Sequence, residues 1–198
     1  SGPCRRVRAV AAELNLELEL VDINPREGDQ RKPDYLKKNP NAKVPVLVDG
    51  DFCLWESHAI MIYLNGKKPD STLLPTNSLQ QADVLRWLFW QTAHLGPAVG
   101  KMAMEKIYKV RLGGTFDQSR YDEGMAEFKR WGAVLEQSLD GCDSICAQLS
   151  LADFSLASVF SVRDAINLDL STYPNIIHWL NVIENRESWK KSAPLVVV

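Results

Sequence analysis

Residues 43–60, KVPVLVDGDFCLWESHAI, combine a hairpin pattern with features that a hairpin alone does not need. Two short apolar runs, VPVLV and FCLW, flank a DG dipeptide, which is a strong signal for a tight turn. Pro45 stands inside the first run although it has no N–H to donate to a ladder. Glu56 and Ser57 stand where the chain must change from strand to helix. The stretch therefore predicts a β-hairpin that leads into a helix with a polar start.

Short helical and strand patterns alternate through the first 65 residues. Apolar residues at helical spacing predict a helix over Pro3–Leu14, and the alternating LELELVDI of Leu16–Ile23 predicts a half-buried strand. A short helical turn is predicted at Pro33–Lys38, and a longer helix after the hairpin at Ser57–Leu64. The predicted order of elements is α-β-α-β-β-α.

The remainder of the chain has a different, helical pattern. Residues 66–78, GKKPDSTLLPTNS, are mostly polar and contain two prolines, which predicts a linker between domains. Helices are then predicted at Ser78–Leu112 with a bend at Gly96-Pro97, and at Asp117–Leu139, Leu151–Ile166 and Pro174–Asn185. The predicted domains are residues 1–65 and 79–198, joined by this linker.

The third of these helices has a well-specified start in LSLADF, residues 149–154. Ser150 is placed to be the N-cap, and Asp153 stands at the N3 position of a capping box. Leu149 and Phe154 stand at the two positions of a hydrophobic staple. We interpret the motif as a structural cap.

The composition excludes several classes of function. The net charge of −2 does not indicate a nucleic-acid-binding protein, and the sequence contains no run of about 18 apolar residues that could cross a membrane. The four cysteines form no CxxC pair and, with three scattered histidines, do not predict a metal site. Since a chain of this length needs no disulfide framework, a reducing cytoplasm is the expected location.

Two interpretations of Pro45 and of Glu56-Ser57 are possible. Pro45 could simply protect a strand edge, and Glu56-Ser57 could simply cap a helix. Alternatively, a bent cis Val44-Pro45 bond would leave the N–H and C=O of Val44 free to pair with an extended peptide. The helix start nearby would attract a carboxylate through its free N–H groups. This second interpretation predicts that the protein binds a small peptide.

Residues 39–64, NPNAKVPVLVDGDFCLWESHAIMIYL, resemble the glutathione-binding half of the glutathione S-transferases. LSLADF is similar to the capping motif of that family's helical domain, and SGPCRRVR at the chain start is similar to its active-site turn. The resemblance covers essentially the whole chain and is to the soluble, serine-type, bacterial-like members. It implies a thioredoxin-like α/β N-terminal domain followed by an all-α C-terminal domain. It also implies a first β-strand that is expected to be missing from this chain.

The resemblance assigns roles in glutathione binding to five residues. The backbone of Val44 would pair with the cysteinyl part, presented by Pro45 as a cis proline. Ser57 would bond the γ-glutamyl carboxylate, while Glu56 would help to place the γ-glutamyl ammonium. Lys43 matches a cation that some branches use for the glycyl carboxylate.

The implied chemistry is attack of the glutathione thiolate on an electrophile. Ser1 matches the hydroxyl that activates the thiol in serine-type members, and Cys4 is the alternative candidate. His94 and Tyr108, on the long helix, are candidates for contact with the electrophile.

The implied function is a cytoplasmic, homodimeric glutathione transferase that acts in detoxification on small, mostly apolar electrophiles. Glutathione is the expected co-substrate, with no metal, nucleic acid or membrane as partner. Two alternatives remain open: a glutathione-dependent isomerase of the maleylacetoacetate type, and a non-enzymatic binding protein with the same fold. The isomerase branch usually carries a second serine where this chain has Gly2.

Overall fold

The computed structural model describes residues 1–193, and its backbone contacts divide the chain into two units. Ser1–Leu74 form the first unit together with residues 186–193, and Pro75–Asn185 form the second. The limits drawn from the sequence differ in placing everything after residue 79 in the helical domain. Residues 194–198 of that predicted domain lie outside the described part of the chain.

The first unit consists of short helices around a single hairpin. Its elements are α1 (Gly2–Glu13), a 3₁₀ turn (Asp29–Arg31), α2 (Pro33–Leu36), β1 (Val46–Asp49), β2 (Phe52–Trp55), α3 (Ser57–Gly66) and, from the end of the chain, α9 (Glu187–Lys191). The predicted hairpin and three predicted helices are therefore confirmed. α9 was not predicted, because five residues are too few for a helical periodicity to stand out.

The predicted strand at Leu16–Ile23 is wrong. Over residues 1–193, the hairpin of β1 and β2 is the only sheet, and this segment has no regular secondary structure. Leu20 and Val21 are 48% and 75% exposed. Alternating apolar residues mark the face that a strand would bury, but a strand also needs a neighbour to receive its backbone hydrogen bonds, and the described chain supplies none here.

The second unit is helical throughout. Its elements are α4 (Ser78–Trp90), a π-helical segment (Gln91–Leu95), α5 (Gly96–Ala103), a second π-helical segment (Met104–Lys109), α6 (Gln118–Ser138), α7 (Leu151–Val159) with a 3₁₀ turn (Phe160–Val162), and α8 (Pro174–Glu184). All the predicted helices of this region are present. Fully buried aromatic side chains form its core, among them Phe128, Phe154, Phe160 and Trp179.

The interruption predicted at Gly96-Pro97 takes the form of a π-helical segment directly before Gly96. Pro97 has no N–H to complete the α-helical hydrogen bonding of the preceding turn, so the helix must adjust there. Gly96 is needed because a Cβ at this position would lie 2.5 Å from Nε2 and 2.8 Å from the carbonyl oxygen of Gln91. The helix therefore continues through the proline with a widened turn.

The predicted capping box at the start of α7 is confirmed. The Asp153 carboxylate accepts the Ser150 N–H at 2.8 Å, and the Ser150 hydroxyl accepts the Ala152 N–H at 3.2 Å. Asp153 also accepts the Ile145 N–H at 2.8 Å and the Trp179 indole N–H at 2.9 Å. Both Ser150 and Asp153 are fully buried, so the motif stabilises the core of the second unit.

Candidate functional site

The hairpin register brings Val44-Pro45 close to Glu56-Ser57. Val46 pairs with Trp55 at the end of the ladder, so Pro45 and Glu56 are the next residues on either side. The Val44-Pro45 peptide bond is cis. Among residues 1–193, Val44 forms no hydrogen bond with another backbone group. Its N–H and C=O thus lie at the hairpin end without a ladder partner.

The loop before Val44 is held by two side chains that donate to one carbonyl. The Tyr35 hydroxyl and the Asn39 amide each donate to the Lys43 carbonyl oxygen at 2.7 Å. Asn39 is 2% exposed, and its side-chain oxygen accepts the Asn41 N–H at 3.0 Å. These two contacts were not predicted from the sequence. An asparagine next to a proline, as a turn former, was the available signal.

The start of α3 has an unusual backbone. Glu56 is its N-cap residue, with φ +68° and ψ +110°, and its exposed side chain makes no capping hydrogen bond. A positive φ is rare for a residue other than glycine, and such strained residues cluster at functional sites. Ser57, the first residue of the helix, is 8% exposed. The helix start is therefore not closed by the side chain that precedes it.

A contact between α1 and α3 lies directly beside Ser57. Arg6 Nη1 and His58 Nε2 are 2.6 Å apart. Burial lowers the pKa of Arg6 to about 10, and burial together with the charge of Arg6 lowers the pKa of His58 to about 3. His58 is therefore neutral at physiological pH and accepts a hydrogen bond from Arg6. The contact between these two residues was not predicted from the sequence.

The first turn of α1 belongs to the same unit. Ser1 is the exposed N-cap residue, and its side chain makes no capping hydrogen bond. Cys4 is half-buried. Burial raises the pKa of Tyr35, and the negative charge that Cys4 carries as a thiolate raises it further. The predicted site residues of this part of the chain, Ser1, Cys4, Lys43, Val44, Pro45, Glu56 and Ser57, all belong to the first unit.

His94 and Tyr108 belong to the second unit, and each lies in one of its π-helical segments. The His94 ring packs on Trp131, with ring centroids 4.3 Å apart and planes inclined by 31°, and approaches the edge of Trp90 at 6.0 Å. Tyr108 is 44% exposed. π-helical segments occur frequently at functional sites, and the role of these two residues stays a prediction.

Two further observations concern residues 1–193 alone. No helix in this range combines the length and the apolar character that crossing a membrane requires. No three His, Cys, Asp or Glu side chains in the same range are grouped so that they could hold a metal ion.

Comparison with known sequences identifies relatives that cover most of the chain. Residues 3–66 match the family described as "Glutathione S-transferase, N-terminal domain". Glutathione S-transferase D7 of Drosophila melanogaster is 34% identical over 192 residues, which cover 95% of this chain and 83% of that protein.

Comparison with solved structures agrees. Glutathione S-transferase-I bound with lactoylglutathione is 30% identical, with a TM-score of 0.88, over 98% of this chain and 94% of the other. Glutathione transferase F2 from Populus trichocarpa is 26% identical, with a TM-score of 0.89, over 97% and 93%. The predicted fold, a thioredoxin-like N-terminal domain followed by a helical domain, is confirmed. The chain belongs to the glutathione S-transferase family, and its predicted class as a transferase is confirmed.

Proposed function

We propose that the protein joins the thiolate of glutathione to small, mostly apolar electrophiles. The observation that carries the proposal is the meeting of Val44-Pro45 and Glu56-Ser57 at one end of the hairpin. The backbone of Val44, which has no ladder partner, suits the middle of a short extended peptide. The start of α3, which the preceding side chain does not cap, suits a carboxylate at one end of that peptide.

Each part of glutathione has a proposed partner in the first unit. The N–H and C=O of Val44 pair with the cysteinyl residue, and Pro45 holds Val44 at the hairpin end. The Ser57 hydroxyl and the first N–H groups of α3 bind the γ-glutamyl carboxylate, which the positive end of the helix dipole also attracts. Glu56 binds the γ-glutamyl ammonium, and the exposed Lys43 binds the glycyl carboxylate.

Activation of the thiol is assigned to the start of α1. A free thiol has a pKa of about 8.5, and lowering it by about 2 units needs about 2.7 kcal/mol of differential stabilisation. The Ser1 hydroxyl donates a hydrogen bond to the thiolate, and the positive end of α1 adds electrostatic stabilisation. The thiol releases its proton to solvent, and the thiolate attacks the electrophilic carbon. A leaving group departs with the electron pair of its bond; where there is none, the displaced electron pair takes up a proton from solvent. Cys4 is the alternative partner of the thiol.

The wider biological role is also a proposal. His94 and Tyr108 contact the electrophile, and the protein acts in detoxification in the cytoplasm. Residues 1–65 form the glutathione-binding domain, together with residues 186–193, which pack in the same unit. Residues 66–78 form the linker, and the helical domain predicted for residues 79–198 then comprises residues 79–185. The protein is a homodimer, which light scattering at micromolar concentration tests directly. A monomer would contradict this part of the proposal.

Binding is tested by calorimetry with glutathione on the parent, Ser57→Ala and Lys43→Ala. Loss of a hydrogen bond to a charged group in a largely buried position lowers the binding free energy by about 1.5–3 kcal/mol for Ser57→Ala. An exposed ion pair contributes only about 0–1 kcal/mol, which is the loss expected for Lys43→Ala. Equal losses in the two variants would contradict the assignment, as would a parent that does not bind glutathione.

Catalysis is tested by assaying a panel of electrophiles with the parent, Ser1→Ala and Cys4→Ala. Ser1→Ala is expected to slow conjugation by about 10–100-fold, whereas Cys4→Ala changes it little. The opposite ranking, or a stable mixed disulfide between Cys4 and glutathione, would assign the thiol chemistry to Cys4. Isomerisation of a conjugated diketo acid without conjugation would favour the isomerase alternative. Binding without any turnover would favour the non-enzymatic one.

A further inference from the structure

The last helix of the described chain packs along the helix that carries Ser1. α9 is separated from α1 by more than 170 residues in sequence, yet both belong to the first unit. Trp189, in the middle of α9, is 2% exposed, and Ser192 just after it is 1% exposed. A segment of five helical residues is too short to be stable alone, so its order derives from this packing.

The contacts between the two helices begin at the far end of α1. The Glu13 carboxylate accepts hydrogen bonds from the Arg186 guanidinium, with Nε at 3.2 Å, and from the Ser188 hydroxyl. Burial alone would raise the pKa of Glu13, but the hydrogen bonds from Arg186 and Ser188 outweigh it and hold that pKa below its usual value. Glu13 is therefore a charged anchor for the residues that lead into α9.

The contacts continue to the first turn of α1. The Arg5 guanidinium lies over the Trp189 ring at 4.1 Å from its centroid, and Arg5 Nε donates to the Ser192 hydroxyl at 3.4 Å. The backbone N–H of Arg5 closes the first turn on the Ser1 carbonyl at 3.0 Å. Arg5 thus connects α9 to the residue that caps the helix. The next residue, Arg6, contacts His58 on α3.

We propose that Trp189 and Arg186 are positioning residues that hold the first turn of α1, through Arg5 and Glu13, in the orientation that thiol activation requires. The proposal deepens the proposed function and rests on it, because it takes Ser1 as the donor to the glutathione thiolate. Arrangements of this kind matter because a displacement of about 1 Å at a reacting group lowers a rate by about 100-fold.

The test compares two equivalent truncations of buried tryptophans, Trp189→Leu in the first unit and Trp179→Leu in the second. Amide hydrogen exchange, which needs no ligand, reports the order of α1. Exchange at residues 5–10 is expected to become faster by about tenfold or more in Trp189→Leu and to stay unchanged in Trp179→Leu. Unchanged exchange at α1 in Trp189→Leu would overturn the inference whether or not the protein binds glutathione.

The catalytic consequence is measured from the pH dependence of thiolate absorbance in the glutathione complex. In Trp189→Leu the pKa of the bound thiol is expected to rise by about 1 unit, which lowers kcat with an activated aryl chloride at pH 6.5 by about fivefold. The dissociation constant of glutathione changes less than about threefold, and Trp189→Phe, which keeps a ring for Arg5, restores most of kcat. Faster exchange with an unchanged thiol pKa would overturn the positioning role and leave only a structural one.

A second pair of variants, with smaller changes, tests the proposal in case the tryptophan variants do not fold. Glu13→Gln keeps the shape of the side chain and removes its charge, and Glu136→Gln does the same to a carboxylate of the second unit that accepts the Asn175 and Ile176 N–H groups at 2.9 Å each. Glu13→Gln is expected to lower kcat by about threefold without raising the KM for glutathione. Equal effects from both variants would overturn the inference, whereas a parent without a glutathione thiolate would contradict the proposed function itself.

Discussion

The starts of α7 and α3 use serine and an acidic residue in opposite ways. At α7, Asp153 and Ser150 satisfy each other and the neighbouring backbone, and both are fully buried. At α3, Glu56 is exposed, takes a positive φ and makes no capping bond with its side chain. Where a helix start only stabilises the fold, side chains of the protein accept hydrogen bonds from its free N–H groups. Where a helix start binds a ligand, those N–H groups stay available, and the backbone there can be strained.

The largest expected effect is a loss of stability when Asp153, at the start of α7, is substituted. Asp153→Ala removes the acceptor for the Ile145 and Ser150 N–H groups and for the Trp179 indole. Leaving these buried donors unpaired is expected to lower the free energy of unfolding by about 3–5 kcal/mol. Urea denaturation measures the loss. If Asp153→Ala kept the parental stability but lost its affinity for glutathione, the structural role assigned to the α7 start would be wrong.

The free energy of unfolding is expected to depend on pH through His58, which lies in the first turn of α3 and contacts Arg6. Unfolded His58 binds a proton at about pH 6.5, but its pKa in the folded protein is about 3. Between these values the unfolded chain binds more protons, so the free energy of unfolding falls as the pH falls, by about 1.4 kcal/mol per pH unit.

The measurement for His58 is the difference in unfolding free energy between the parent and His58→Gln. From pH 6.5 to pH 5 the parent is expected to lose about 1.6 kcal/mol relative to the variant, because glutamine takes up no proton. Parallel pH profiles for the two proteins would show that His58 is protonated in the folded state, contrary to its hydrogen bond with Arg6.

A matched pair of serine substitutions gives a smaller but more direct contrast. Ser150→Ala removes a capping side chain and is expected to lower the free energy of unfolding by about 1 kcal/mol without changing glutathione affinity. Ser57→Ala is expected to change stability by less than about 0.5 kcal/mol while weakening glutathione binding. Thermal unfolding and calorimetry on both variants provide the comparison. Similar losses of stability would mean that both serines are structural caps.

The smallest expected effect concerns the backbone of Glu56. Alanine at this position keeps the positive φ and its strain, whereas glycine adopts it freely. Glu56→Gly is therefore expected to be more stable than Glu56→Ala by about 0.5–1 kcal/mol, with both variants impaired in glutathione binding. Denaturation of the two variants under one condition tests this, and a more stable alanine variant would argue against backbone strain at the α3 start.

Much of the fold could be predicted from local patterns. The DG turn between two apolar runs gave the hairpin, helical spacing gave α1, α3 and the helices of the second unit, and LSLADF gave the cap of α7. These signals are reliable because the residues that form each element are neighbours in sequence, so spacing alone encodes their geometry. The family resemblance also rested on such short segments.

The candidate site could be predicted only in part. The sequence pointed to Val44, Pro45, Glu56 and Ser57, which the hairpin register then placed together. It did not indicate that Tyr35 and Asn39 hold the Lys43 carbonyl. Proximity in the folded chain decides such contacts, and the residue type of a tyrosine or an asparagine does not reveal which carbonyl it will reach.

By itself, then, the sequence determined the hairpin, most helices, the α7 cap and the residues at the hairpin end. Tertiary structure alone decided that Leu16–Ile23 forms no strand, that Arg6 meets His58, and that α9 packs on α1. The physical reason is the same in each case. A strand needs a partner, a buried guanidinium needs an acceptor, and a short helix needs a surface, and each of these is supplied by residues distant in sequence.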